Sequence, residues 1–279
     1  MPSTKARKSV KSQSAGVRLS ARQGAPRAAP AGAANPAQPV PPDAVRVWRG
    51  FRLGTSMPQD FLTALGTVFI PVTAILQRLY GLTAYLPSVL PQSKPAGVPD
   101  EIALVFYRTQ QAYTDTSLIV AGRAYSALHK TVFAFPQSLS GFPVMLTSKL
   151  ALDTPVHLFS DETDWHEGYS QVYVGARDAS VPVPQFLAGI QKFLINLQRK
   201  RPAGMDGAVA CVSSAYVVYW EHWQSEAASL KGRIADLAGL SQRVILQPHV
   251  PTAIDPSLTD KYAGIPAVDS RSFNIQFPR

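Results

Sequence analysis

Two apolar runs in this sequence end in residues of the same kind. The run from Ile102 closes on Tyr107-Arg108, and the run from Tyr216 closes on Tyr219-Trp220, with His222 two residues on. A guanidinium or imidazole at such strand ends could hold a phenolate or an enolate and adjust its pKa, because a neighbouring positive charge favours the anion. Tyr107, Arg108, Tyr219, Trp220 and His222 are therefore the candidate catalytic residues. The aromatic members would serve equally to fill the space between a sheet and its helices.

A second group is richer in metal-ligand chemistry. His157, Asp161, Glu162, Asp164, His166 and Glu167 fall within eleven residues, and imidazole with carboxylate suits a divalent transition metal. His157, Asp161, Asp164 and His166 are the candidate ligands, with Asp164 and His166 converging if the segment is extended. No spacing such as His-Glu-x-x-His occurs, and a polar loop joining two units would have the same composition. The sequence also lacks a P-loop, a dinucleotide glycine fingerprint and a Gly-x-Ser-x-Gly elbow, which disfavours ATP hydrolysis and serine hydrolase chemistry.

The third group is electrostatic. Residues 1–43 hold Lys5, Arg7, Lys8, Lys11, Arg18, Arg22 and Arg27 against one acid, Asp43, so +6 of the formal +9 lies there and the body is nearly neutral. This segment is rich in Ala, Pro and Ser and has too few apolar groups to offset its conformational entropy, which predicts a disordered arm. Such an arm could neutralise a polyanion such as RNA, with those seven residues as the binding set, or act as a targeting address read by a transport machine. A solvated extension without a partner is the third alternative.

The elements that must position these groups alternate between strand and helix. Val45 to Leu53 reads as a strand whose exposed side carries Arg46 and Arg49 or Arg52. Ser56 is expected to cap a helix through Phe61, Leu65 and Phe69, which Pro71 should kink or interrupt. Leu82 to Leu86 is a strand closed by Pro87. Ile102 to Tyr107 follows, then a helix from Thr116 to Phe133. The pattern restarts at Gln171 to Arg177 and continues into a helix opening Val183-Pro184-Gln185-Phe186-Leu187, which matches Met57-Pro58-Gln59-Asp60-Phe61-Leu62 with one residue deleted. Ala208 to Val212 and Tyr216 to Trp220 form an antiparallel pair around Ser213-Ser214. Ser225 caps a last helix through Leu240, and Val244 to Leu246 is a final strand.

This divides the chain into a basic tail (1–43), a first unit with its connecting segment (44–169), a second unit (170–250) and an extended C-terminal arm (251–279). The fourth strand of the first unit lies somewhere in the irregular stretch from Ala134 to Tyr169. One cysteine, Cys211, excludes an intrachain disulfide. The longest apolar run, Phe61 to Leu76, is shorter than the roughly 20 residues of a membrane span and contains Pro71. A secretory apolar core is absent from the N-terminus, which favours the cytoplasm and leaves an organellar address open.

Two strand-helix-strand-strand-helix units in one chain resemble a tandem version of the dimeric α/β-barrel superfamily, in which two ferredoxin-like halves join their sheets. The resemblance covers roughly residues 44 to 250. It implies an α+β fold with a pocket between sheet and helices in each half, able to take a small apolar ligand. It further implies either cofactor-independent monooxygenase chemistry or haem binding, with His129, the only histidine in an expected helix, as axial ligand. The charge asymmetry favours a binding or assembly protein with a polyanion-engaging arm, and enzyme chemistry of the barrel type is the alternative.

Overall fold

The computed structural model describes residues 41–73, 80–165, 167–232, 240–245, 252–253 and 275–276. Period-two alternation builds two sheets. The first contains β1 (Val45–Gly50), β2 (Leu82–Val89), β3 (Glu101–Tyr107) and β4 (Leu139–Gly141) in the order β4-β1-β3-β2. The second contains β7 (Tyr169–Arg177), β8 (Met205–Val212), β9 (Tyr216–Trp223) and β10 (Leu240–Ile245) in the order β10-β7-β9-β8. All pairings within each four are antiparallel. In each, the first strand lies between the fourth and the third, which is the ferredoxin-like order. The fold is therefore α+β with two antiparallel-rich sheets.

Short strands extend both sheets. β5 (Val144–Met145) and β6 (Val156–His157) lie beyond β8, while β11 (Thr252–Ala253) and β12 (Ile275–Gln276) lie beyond β2. The expected C-terminal arm thus returns two short stretches to the first sheet, and its remaining residues lie outside those described. The fourth strand of the first unit is Leu139–Gly141, which pairs with β1 through Ser140 opposite Trp48.

Alternate residues of each sheet face the other sheet and share one apolar layer. Val45, Val47, Leu104 and Phe106 meet it from the first sheet, and Val172, Val174, Val218 and Trp220 from the second. Cys211 lies in this layer, where burial pushes its thiol up to about 12. The opposite faces are covered by helices. Phe186, Ile190 and Leu194 of α4 (Val183–Arg199) pack on the second sheet. Phe61 and Leu62 of α1 (Pro58–Ala64) pack on the first. With both faces covered, β1 has no exposed side. Arg49 follows Val45 and Val47 in parity, is 1% exposed, and binds the Asp153 carboxylate at 2.9 Å and its carbonyl at 3.2 Å.

Several local expectations are corrected. The N-cap of α1 is Met57 rather than Ser56, with no side-chain hydrogen bond. Pro71 does not interrupt this helix within the described residues: a π-turn at Leu65–Phe69 precedes it, with Ile70 donating to the Leu65 carbonyl. Widening the helix there accommodates a ring that would otherwise press on the preceding turn. β2 continues through Pro87 to Val89. Among the described residues β12 pairs only with Ala84 and Tyr85, so Pro87 sits at an edge where no donor is required. β10 starts at Leu240, where a helix was expected to end, and the segment 233–239 before it lies outside the described residues.

The helix expected over 116–133 is two helices, α2 (Gln110–Leu118) and α3 (Val120–His129). Thr109 caps the first by accepting from the Ala112 amide at 3.2 Å. Ile119 is extended, with φ −72° and ψ 160°, and turns the chain between them. Gly122 makes the corner possible, since a Cβ on it would stand 1.9 Å from the Thr116 carbonyl oxygen. Gly122→Ala is accordingly expected to cost about 1–3 kcal/mol through backbone displacement, measured as a lowered urea midpoint. An unchanged midpoint would show that the corner opens freely.

Candidate active site

The helix face of the first sheet carries the best-furnished cavity. β1 contributes Arg46 and Trp48, β2 Tyr85, and β3 Glu101 and Val105, all on the parity opposite to the inter-sheet residues. The π-turn adds Phe69, and the α2–α3 corner adds Thr116, Ser117, Gly122, Tyr125 and His129. The cavity holds about 220 Å3 and is partly open to solvent. An apolar cavity of about 150 Å3 accepts a benzene ring, so this one suits a molecule of one or two rings.

Glu101 is the most unusual group in it. The side chain is 2% exposed; its Oε2 accepts from the Trp48 indole at 2.9 Å and its Oε1 from the Tyr85 hydroxyl at 3.2 Å. Burial raises its pKa to about 7, against the lowering effect of those two donors. A carboxylate has about four lone-pair sites, so each oxygen keeps one for a further proton. Glu101 can therefore act as a base near neutrality while Trp48 and Tyr85 hold it in place.

His129 faces the same space. Its Nδ1 lies 2.9 Å from the Tyr125 carbonyl oxygen. A carbonyl only accepts, so Nδ1 carries the hydrogen and Nε2 a lone pair. Burial lowers its pKa, and the Arg46 charge pushes the same way. The ring stands edge-on to Trp48, Phe69 and Tyr125 and is stacked on Phe133. Tyr125 donates to the Phe69 carbonyl at 2.9 Å and bonds Thr73, and burial holds its phenol well above the usual value.

The free Nε2 of His129 is the right tautomer for an axial ligand. The cavity is nevertheless far too small for a tetrapyrrole, and four aromatic rings crowd the imidazole. The residues present do not fit haem.

The second sheet holds a comparable carboxyl on its own helix face. Glu221 of β9 is fully buried; its Oε2 accepts from the Trp223 indole at 2.8 Å and from Tyr173 at 3.5 Å. Its Oε1 has no hydrogen-bond partner, and burial raises its pKa to about 7.

The five strand-end residues do not come together. Tyr107 is buried under the helices beside Tyr113 and Phe142, whereas Arg108 is exposed. Tyr219 and Trp220 are consecutive in β9 and enter opposite cores. His222 is 2% exposed and fully engaged: Nε2 donates to the Glu167 carbonyl at 2.7 Å and Nδ1 bonds Asp206. Neither nitrogen is left for a substrate. The feature that separates them is alternation, which sends neighbouring strand residues to different faces.

Two of the expected metal ligands have other partners. His157 is buried with Nδ1 on the Phe159 carbonyl at 2.9 Å, Asp161 pairs with Arg201, and His166 lies outside the described residues. Among the described residues no three metal-ligating side chains converge. Lys5, Arg7, Lys8, Lys11, Arg18, Arg22 and Arg27 also lie outside those described. No helix among the described residues is long and apolar enough to cross a membrane.

No family model and no curated protein matches the chain. Among solved structures, it is similar to one described as a candidate monooxygenase from Lactobacillus acidophilus, at 10% identity over 72% of this chain and 90% of that one, with a TM-score of 0.30. An anthrone oxidase-like protein gives 10% identity, 75% and 94% coverage, and a TM-score of 0.34. A dye-decolorizing peroxidase from Bacteroides thetaiotaomicron gives 11%, 81% and 99%, and 0.31. At these scores no residue role is carried over. The descriptions name oxidative enzymes and neither nucleic-acid binding nor packaging. They fit the enzyme alternative better than the expectation of an assembly or packaging protein, which is set aside.

Proposed function

We propose that this chain is an enzyme that removes a proton from a small ring-bearing carbon acid or phenol in the cavity beside the first sheet, with Glu101 as the base. One observation supports it above the others: a buried carboxyl, raised to about 7 and fixed by Trp48 and Tyr85, lines a cavity of ring size. Perturbed carboxyls inside clefts are the usual mark of acid-base sites.

Glu101 takes the proton, and the electron pair stays on the substrate as an enolate or phenolate. Such an anion can give an electron to dioxygen directly. For a benzylic CH2, both C–H bonds are replaced by C=O, and the second oxygen atom leaves as water with both hydrogens. This is monooxygenase stoichiometry. We also read the body as two copies of one ferredoxin-like unit, joined as a pseudo-dimeric α/β barrel. Support comes from the shared strand order and from the Pro58-Gln59 and Pro184-Gln185 openings of the equivalent helices.

The test is proton exchange, which needs no oxidant. In D2O near pH 7.5 the protein is expected to speed the loss of the benzylic proton signals of 2-indanone and 2-tetralone relative to heat-denatured protein. Absence of acceleration, together with absence of oxygen uptake on small phenols, would remove the reading.

A further inference from the structure

Among the described residues, Arg46 is a cation held in place without a counter-charge. Its guanidinium lies over the Tyr113 ring, 4.2 Å from the centroid, and its Nη2 bonds the Ser140 hydroxyl. These contacts fix the plane of the group and use one of its five donors. Among the described residues no carboxylate pairs with it. Glu101, the one acid lining the cavity, already accepts from Trp48 and Tyr85. Lys130 adds a second cation at the wall, and His129 adds none.

The surrounding groups register this charge. Arg46 acts to lower the pKa of His129, Tyr107 and Tyr125, which places its field on the aromatic wall. An unpaired, pre-oriented guanidinium beside a ring-sized space is built for two parallel hydrogen bonds to a planar oxyanion.

We propose that the substrate is an aromatic carboxylate and that Arg46 binds its carboxyl group while the ring lies against Trp48 and Phe69. The proposal deepens the base-catalysis reading and rests on it for the identity of the reacting cavity. Arg46 stands opposite Val105, four residues along β3 from Glu101, so a carboxylate at Arg46 and an acidic hydrogen at Glu101 would lie towards opposite ends of one ring and fix the substrate's orientation.

The experiment is calorimetric titration of the full chain with 4-hydroxybenzoate and with its neutral counterpart 4-hydroxybenzamide. The acid is expected to bind about ten- to a hundredfold more tightly, the size of a charge-assisted pair. Arg46→Met should abolish that preference while leaving the amide unchanged, and Arg46→Lys should keep part of it. Equal affinities, equal weakening of both ligands by Arg46→Met, or no binding of either at millimolar concentration overturns the proposal. If Arg46→Met does not fold, the acid-amide comparison on the unaltered chain decides. The 2-indanone exchange uses a neutral probe, so acid binding with neither exchange nor oxygen uptake would remove the base-catalysis reading and leave Arg46 as a carboxylate site in this cavity.

Discussion

Glu101→Gln is expected to slow proton exchange by about 10^2 to 10^4-fold, the usual contribution of a positioned general base. The amide keeps the size and an oxygen for the Trp48 indole, yet it cannot accept the substrate proton. Binding of 4-hydroxybenzoate should change little, so the loss falls on the rate. In the unaltered protein the rate should rise with pH and level off above about 7, because only the ionised carboxyl is a base and burial raises its pKa to that value. A flat profile between pH 5 and 8, or a Gln variant with full activity, would place the chemistry elsewhere.

A second large effect is expected on stability. Glu101 and Glu221 are each raised from 4.5 to about 7 by burial. Between those values the folded chain binds more protons than the unfolded one. Stability from these groups is therefore complete below about 4.5 and falls as pH rises to about 7. A shift of this size corresponds to about 3 kcal/mol for each group, appreciable against the 5–15 kcal/mol typical of a domain. The melting temperature should accordingly fall from pH 5 to pH 8, and Glu221→Gln should remove about half of the slope. Glu101→Gln together with Glu221→Gln should remove most of it. A melting temperature that climbs equally over this range in the unaltered protein and in the double variant would show that the two carboxyls ionise without penalty.

Most strands were legible because sheets covered on both faces read as near-continuous apolar runs, as in Ile102 to Tyr107 and Ala208 to Val212. Val45-Arg46-Val47-Trp48 declares two faces, and a second strand-helix-strand-strand run beginning at Gln171 repeats the first. What did not show was which layer covers each face. Arg46 and Arg49 look alike as exposed cations in the sequence, yet one lines the cavity and the other bridges the sheets to Asp153. The three-residue β4 is too short for any periodicity, and the break at Ile119 has no proline, its glycine, Gly122, standing three residues on inside the second helix.

The candidate site was half visible. His129 lines the cavity, though not as a haem ligand, and Glu101 stands one residue before the expected strand at Ile102, so no motif in the sequence marks it as part of a site. Parity held the missing signal: Glu101 shares a face with Ala103, Val105 and Tyr107, all of which pack under the helices. Chemistry grouped by closeness in sequence, as with Tyr219 and Trp220, fails in a strand for the same geometric reason.

β12 closes the first sheet against Tyr85 with residues almost two hundred positions later in the chain. During synthesis, β2 therefore emerges long before its outer neighbour exists, and its unpaired amides and carbonyls stay available to any passing strand. A nascent chain of this protein would need shielding until Ile275 and Gln276 leave the ribosome. Shortened products lacking Ile275 and Gln276 should accumulate as soluble oligomers or inclusion bodies even though the cavity-forming residues are all present.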